Sequence, residues 1–229
     1  MESKETWFLL RSGCRDAAWN MALDEALHRA APELQRPVLR LYGWTEPAAT
    51  FGYSQRYLDL ERLTPLRPLI RRSTGGGLVP HDRDWTYTLV FPPGHSWYPL
   101  RARASYERTH TWLSAAFEQL GYRTQLAPET IPGAGQCFVG AEQFDLLFRG
   151  AKIAGAAQRR NRSGLLIQGS VQPPAAAPSR AAWEESLCAV AADRWAVRWE
   201  SLDIAGALET TADSLATAKY ATDAHNRRR

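Results

Sequence analysis

Cysteine is scarce in this chain and follows no metal-binding spacing. The three cysteines, Cys14, Cys137 and Cys188, are an odd number, and none lies in a CxxC or Cys/His pair. A disulfide framework needs paired cysteines and a structural zinc site needs closely spaced ligands, so the pattern argues against both. It leaves open one reactive thiol.

Long apolar runs are also missing. No stretch reaches the roughly 20 apolar residues that a membrane-spanning helix needs. The first residues, Met1 to Glu5, lack the basic-then-apolar order of a signal peptide. We therefore expect a cytoplasmic protein with no membrane partner.

The charge balance is only modestly basic. The formal net charge is +4 at pH 7, and no nucleic-acid-binding motif accompanies it. A basic surface suits an acidic protein partner as well as it suits nucleic acid. The sequence therefore predicts no nucleic-acid partner.

Three consecutive glycines, Gly75 to Gly77, lie between an apolar segment at 68–70 and an alternating run that starts at Trp85. We expect them to join two strands. Ordered glycines cost much backbone entropy unless the backbone takes positive φ or approaches a ligand closely. With Arg71 and Arg72 beside it, the loop offers N–H groups and positive charge to a carboxylate, phosphate or acyl carbonyl.

A tight turn with two solvated arginines is an alternative explanation of this loop. The loop is not a P-loop, because no Lys-Ser/Thr pair follows the glycines.

Hydrophobic periodicity predicts a mixture of strands and helices. Apolar runs on both sides of Arg149-Gly150 predict a hairpin with Lys152 just after its turn. Ser105 is the predicted N-cap of a helix that ends near Leu120. The other predicted strands cover 7–10, 38–42, 49–53, 85–91, 122–126 and 165–171, and the other predicted helices cover 16–30, a segment around Trp183 to Val190, and about 202–217.

Four motifs in this chain occur in the same order in a known superfamily. They are Asn20 to Leu27, Phe51 to Gln55, Arg71 to Gly77 with His81-Asp82, and Gly150 to Arg159. The chain thus resembles the lipoate/octanoate protein ligase-transferase superfamily. It is most similar to the cysteine-dependent octanoyltransferases, because Cys137-Phe138 lies in the loop before the lysine hairpin, where that branch keeps its nucleophile.

The resemblance implies an α+β fold of the biotin/lipoate-protein ligase catalytic-domain type, with a mixed, largely antiparallel sheet flanked by helices. It also implies one catalytic domain over residues 1–217. Too little chain follows Pro174 for a second core, so we expect 172–217 to form a C-terminal helical cap. The polar residues 218–229 are expected to form a disordered basic tail.

The activity that the resemblance implies is transfer of an octanoyl group from octanoyl-acyl carrier protein. The acceptor is a lysine of a lipoyl domain or of glycine cleavage H protein. Cys137 would carry the acyl group as a thioester, and Lys152 would favour its thiolate and polarise the acyl carbonyl. No cofactor is needed. The residues expected to bind substrate are Arg72, Ser73, Thr74, Gly75, Gly76, Gly77, His81, Gly155 and Ala156.

Several alternatives remain open at this point. In an ATP-dependent lipoate-protein ligase, the same loop would hold an acyl-adenylate, with ATP and Mg²⁺ as cofactors. Transfer between two lipoyl domains and a non-catalytic carrier-protein-binding module are further possibilities; a biotin ligase is disfavoured, because the adenylate loop of that family is absent. For individual residues, Cys137 could be an inert buried thiol, Lys152 a solvated strand-end lysine, and His81 a structural pin of the glycine loop.

Overall fold

The computed structural model describes residues 5–131 and 140–228. The predicted nucleophile Cys137 lies outside these ranges. The strands are β1 (Glu5–Arg15), β2 (Val38–Trp44), β3 (Ala48–Phe51), β4 (Leu69–Arg71), β5 (Val79–His81), β6 (Trp85–Phe91), β7 (Gln125–Leu126), β8 (Leu146–Phe148), β9 (Ala151–Asn161), β10 (Gly164–Val171) and β11 (Val197–Ser201). The helices are α1 (Ala17–Leu34), α2 (Tyr57–Leu60), α3 (Ala102–Gln119), α4 (Arg180–Trp195), α5 (Ala207–Leu215) and α6 (Asp223–Asn226), and a π-helical segment, Ala216–Tyr220, follows α5.

The strands form a large and a small sheet. The large sheet has the order β11-β1-β2-β6-β10-β9-β8-β7. Only the pairs of β1 with β11 and β2 are parallel, and the other pairs of this sheet are antiparallel. The small sheet has the order β4-β3-β5. The predicted α+β fold with a mixed, largely antiparallel sheet flanked by helices is confirmed.

Alternation along the strands divides the apolar side chains between two cores. In β2, Leu39 and Leu41 join the core under α3 and α4, whereas Val38 and Tyr42 join the core under α1 and α5. The large sheet is therefore covered by helices on both faces. Among the described residues, no helix has both the length and the apolar character required to cross a bilayer.

Two helix starts illustrate how caps decide boundaries. Asp16 caps α1, because its carboxylate accepts a hydrogen bond from the Trp19 N–H at 2.8 Å. The predicted cap of α3 is wrong: the helix already begins at Ala102, and Ser105 is buried within its first turn. The Ser105 hydroxyl donates instead to Oε1 of Gln158 at 2.8 Å, which ties α3 to β9.

The glycine loop does not lead directly into β6. It joins β4 to β5, and β5 pairs with β3 in the small sheet. Sequence periodicity missed β5 because it is short and contains Pro80, which has no N–H to donate. Proline is tolerated there because β5 is an edge strand.

The C-terminal region differs from the expected cap and tail. Residues Val197–Ser201 form β11, which pairs with β1, so this region is not purely helical. Tyr220, His225 and Asn226 are buried, and the Asn226 side chain accepts a hydrogen bond from the Arg71 N–H at 2.8 Å. Residues 218–228 are thus packed against the domain rather than forming a tail.

Candidate active site

A pocket lies between the large sheet and the small sheet. Its floor contains one row of directly paired residues: Gly155 on β9, Ser170 on β10, Thr86 on β6 and Tyr42 on β2. The pocket has a volume of about 450 Å³, including space open to solvent. Adjacent strands are about 4.8 Å apart, so the row spans about 14 Å.

The roof of the pocket comes from the small sheet and the glycine loop. Thr50 of β3, Val79 and His81 of β5, and Arg72 and Gly76 of the loop contribute to its lining. The structure therefore brings five of the predicted substrate-binding residues to one pocket. These five are Arg72, Gly76, His81, Gly155 and Ala156.

The other four predicted residues support the loop instead of lining this pocket. The carbonyl oxygens of Gly75 and Gly77 accept hydrogen bonds from the Arg72 guanidinium at 3.0 and 2.8 Å. Ser73 accepts a hydrogen bond through its carbonyl oxygen from Arg159 at 3.1 Å. Thr74 donates to Gln168, as described below.

Two glycines are required by the close packing of this loop. Gly76 has φ of +84°, and a Cβ there would lie 2.8 Å from an Arg72 nitrogen. Gly52 has ordinary φ, but a Cβ on it would lie 2.0 Å from the carbonyl oxygen of Gly76. The backbones of the Phe51 to Gln55 motif and of the glycine loop therefore touch, which no larger residue at 52 permits.

Below the floor, the buried carboxylate of Asp24 joins three elements. Arg40 forms an ion pair with Asp24 at 2.7 Å, and both side chains are 0% exposed. The hydroxyls of Tyr42 and Thr88 donate to Oδ2 of Asp24 at 3.0 and 2.9 Å. A buried pair of this kind is tolerated only when further hydrogen bonds satisfy both charges, as they do here.

Gln168 extends this network to the glycine loop. Its amide donates to Asp24 at 2.7 Å, and its carbonyl oxygen accepts a hydrogen bond from the Thr74 hydroxyl at 2.7 Å. Asn20 accepts a hydrogen bond from Arg40 at 2.6 Å. The Asn20 to Leu27 motif therefore acts through Asp24 and Gln168 to position the loop. Sequence reasoning missed Arg40 and Gln168, although two polar residues in apolar strands were a usable signal.

His81 is fixed from both ring nitrogens. Its Nδ1 lies 2.8 Å from Asp84, and its Nε2 lies 2.8 Å from the hydroxyl of Thr50. Trp44 stacks on the ring at 3.9 Å. Burial alone would raise the pKa of Asp84, but contact with His81 and hydrogen bonds, including one from Ser170, lower it. These contacts favour the role of His81 as a pin between the small sheet and the floor.

Lys152 lies just beyond the pocket floor at β9. Its Nζ is 2.7 Å from Oδ2 of Asp145, and the two side chains are only 5% and 0% exposed. A Cβ on Gly155 would lie 3.0 Å from this Nζ, so the ammonium lies against a residue of the floor. The alternative of a solvated strand-end lysine is therefore wrong.

The hairpin turn that carries Lys152 is confirmed, with Arg149 and Gly150 both at positive φ. Tyr106 of α3 donates a hydrogen bond to Asp145, and the Glu142 N–H donates to the same carboxylate at 2.6 Å. Burial and the nearby Asp145 charge raise the pKa of Tyr106 well above its ordinary value, so its hydroxyl stays a donor. Nothing in the sequence pattern linked Tyr106 and Asp145 to Lys152.

The two described cysteines lie in different environments. Cys14 is exposed. Burial raises the pKa of Cys188 to about 11, which makes it a poor nucleophile at neutral pH. Within residues 5–131 and 140–228, no cluster of three or more His, Cys, Asp or Glu side chains could hold a metal ion.

Sequence comparison gives the class of this domain. The lipoyl protein ligase A/B catalytic domain family matches residues 16–172, so the chain belongs to that family. The resemblance drawn from the four motifs is thereby confirmed.

Within the family, the chain is similar to octanoyltransferases. It is 33% identical over 181 residues to the octanoyltransferase LipM of Staphylococcus aureus, an overlap of 73% of this chain and 66% of that protein. It is 32% identical over 182 residues to LipM of Bacillus subtilis, with the same shares. The chain thus matches 66% of the length of these curated relatives.

Solved structures agree on the fold. Lipoate-protein ligase A bound with ATP superposes with a TM-score of 0.76 at 20% identity, covering 97% of this chain and 98% of that chain. The bi-partite lipoate protein ligase of Thermoplasma acidophilum, studied with its E2 lipoyl domain, gives a TM-score of 0.75 at 19% identity, covering 98% and 97%. At these identities the matches establish the fold alone.

Proposed function

We propose that this protein transfers an octanoyl group from octanoyl-acyl carrier protein to a lysine of a lipoyl domain or glycine cleavage H protein. The observation that carries the proposal is the buried Lys152 ammonium against Gly155, at one end of a floor about 14 Å long. That length takes an extended octanoyl chain, with its carbonyl at the lysine end and its tail toward Tyr42. The names of the LipM relatives support the same activity.

The first step forms an acyl-enzyme. The thiolate of Cys137 attacks the carbonyl carbon of the octanoyl thioester, the bond from that carbon to the carrier sulfur breaks, and the carrier thiol leaves with a proton. The Lys152 ammonium stabilises the negative charge that develops on the carbonyl oxygen. The role of Cys137 rests on the family resemblance, since this residue lies outside the described ranges.

The second step forms the amide. The neutral ε-amine of the acceptor lysine attacks the Cys137 thioester, a C–N bond replaces the C–S bond, and the nitrogen loses a proton while the thiol is restored. Because the thioester donor is already activated, neither step needs ATP or a metal ion.

The test is intact mass spectrometry of the protein mixed with octanoyl-acyl carrier protein and no ATP. We expect an octanoyl adduct, labile to hydroxylamine, on the wild type and on Cys14→Ala, but not on Cys137→Ala. Cys14 is the matched control, because it is a second cysteine and is exposed. If no adduct forms and a lipoyl domain is modified only when lipoate or octanoate is supplied with Mg-ATP, the protein is a ligase and the proposal is wrong.

A further inference from the structure

Exposed large hydrophobic side chains concentrate in one segment after β3. The described residues contain four of them, and three lie between residues 53 and 63: Tyr53, Leu58 and Leu63, which are 38%, 53% and 41% exposed. Scattered exposed apolar residues need no explanation, so the case for an interaction surface depends on what surrounds Tyr53.

Two guanidinium groups flank the ring of Tyr53. The Cζ atom of Arg228 lies 4.3 Å from the ring centroid, and that of Arg159 lies 5.7 Å from it. Both arginines are exposed, and neither forms an ion pair with a carboxylate in the described parts of the chain. Tyr53, Arg159 and Arg228 are called the Tyr53 patch below.

The backbone at Tyr53 is held in place by hydrogen bonds to neighbouring segments. The Tyr53 N–H donates to the carbonyl oxygen of Thr74 at 2.8 Å. The buried guanidinium of Arg71 donates to the carbonyl oxygens of Tyr53 and Gln55 at 2.7 and 2.6 Å. A backbone fixed in this way loses little conformational entropy when the segment binds a partner.

The patch is continuous with the pocket. Alternate residues of a strand share one face, so Arg159 lies on the same face of β9 as the pocket residues Gly155 and Ala157. Its guanidinium also donates to Ser73 in the glycine loop at 3.1 Å. Arg159 lies four residues along β9 from Gly155, a distance of about 13 Å.

We propose that the Tyr53 patch is the docking surface for the acidic protein domain that carries the acyl thioester, an inference that rests on the proposed function. Tyrosine and arginine are the residue types that dominate interface binding energy. Guanidinium groups pair with carboxylates on the partner through paired hydrogen bonds. Complementary charge also speeds the encounter and makes it salt-sensitive.

The distance along β9 identifies the donor rather than the acceptor as the occupant. A domain docked on the Tyr53 patch must deliver its reactive group across about 13 Å to Gly155. A thioester on a long, flexible prosthetic arm spans this distance. The side chain of an acceptor lysine is too short to do so from the same position.

The test compares two donors, octanoyl-acyl carrier protein and octanoyl-N-acetylcysteamine, a thioester with no protein attached. The variant is Arg228→Glu, and Arg198→Glu on β11, at the far edge of the sheet from β9, is the control. We expect Arg228→Glu to lower kcat/KM for the carrier-protein donor about tenfold or more at low salt through KM, because charge steering is worth at least that factor. Arg198→Glu should leave kcat/KM unchanged for both donors. Arg228→Glu should leave kcat/KM for the small thioester unchanged.

Arg159→Glu provides a second variant. Because Arg159 also contacts the glycine loop, the result with Arg228→Glu decides whether the proposal stands. The proposal is overturned if Arg228→Glu slows both donors equally, slows neither, or raises only the KM of the acceptor protein. If the wild type transfers from neither donor without ATP, the proposed function fails instead, and that outcome is recognisable before any variant is compared.

Discussion

Replacing Asp145 with asparagine removes the carboxylate that the described residues place against the Lys152 ammonium. The pair is 2.7 Å apart, with side chains 0% and 5% exposed, so water cannot replace the lost charge without opening the site. Breaking a buried pair by removing one partner costs about 3–5 kcal/mol. For a chain of 229 residues, this lowers Tm by roughly 6–20 °C.

The assay is chemical unfolding of four proteins: wild type, Asp145→Asn, Lys152→Met, and the double variant. Once the ammonium is also removed, neither charge of this pair is left without the other, so the double variant should lose less stability than the two single losses added together. The pair is not coupled if the losses add to within about 0.5 kcal/mol. That result, or an Asp145→Asn variant as stable as the wild type, would refute the reasoning.

Two further predictions follow from contacts around the site. Burial opposes ionisation of Glu25, but hydrogen bonds from Lys219 and Tyr220 lower its pKa to about 2. The ionised carboxylate therefore stabilises the fold fully above its ordinary pKa of 4.5, and this stabilisation is lost as the pH falls through about 2. The difference in unfolding free energy between wild type and Glu25→Gln should therefore shrink as the pH falls from 4.5 to about 2. A difference that does not depend on pH would contradict this prediction. Gly52→Ala should displace the glycine loop and slow acyl transfer about a hundredfold, whereas Gly94→Ala, whose added methyl meets nothing within 4 Å, should transfer at the wild-type rate.

Local signals were sufficient for much of the fold. The hairpin could be predicted because its signal, Arg149-Gly150 between two apolar runs, lies within a few adjacent residues. Both turn residues indeed have positive φ. Alternation predicted β6, whose residues are buried throughout. The Asn20 to Leu27 motif supported the family resemblance, but it assigned no role to Asp24, which lies at the centre of a buried network.

The rest depends on residues that meet only in the folded chain. Asp145 meets Lys152 across a hairpin, and Tyr106 donates a hydrogen bond to Asp145 from a helix, 39 residues earlier in the chain. No periodicity encodes such a meeting. The short strands β5 and β11 were also missed. They are stabilised by pairing with β3 and β1 and have no strong sequence pattern of their own.

The buried guanidinium of Arg71 has a consequence for synthesis of the protein. It donates to the carbonyl oxygens of His225 and Asn226 at 3.2 and 3.0 Å, as well as to the segment after β3. A nascent chain that has not reached residue 226 lacks these acceptors. The roof of the pocket is therefore completed only after residue 226 has emerged from the ribosome, although its own glycines were made some 150 residues earlier.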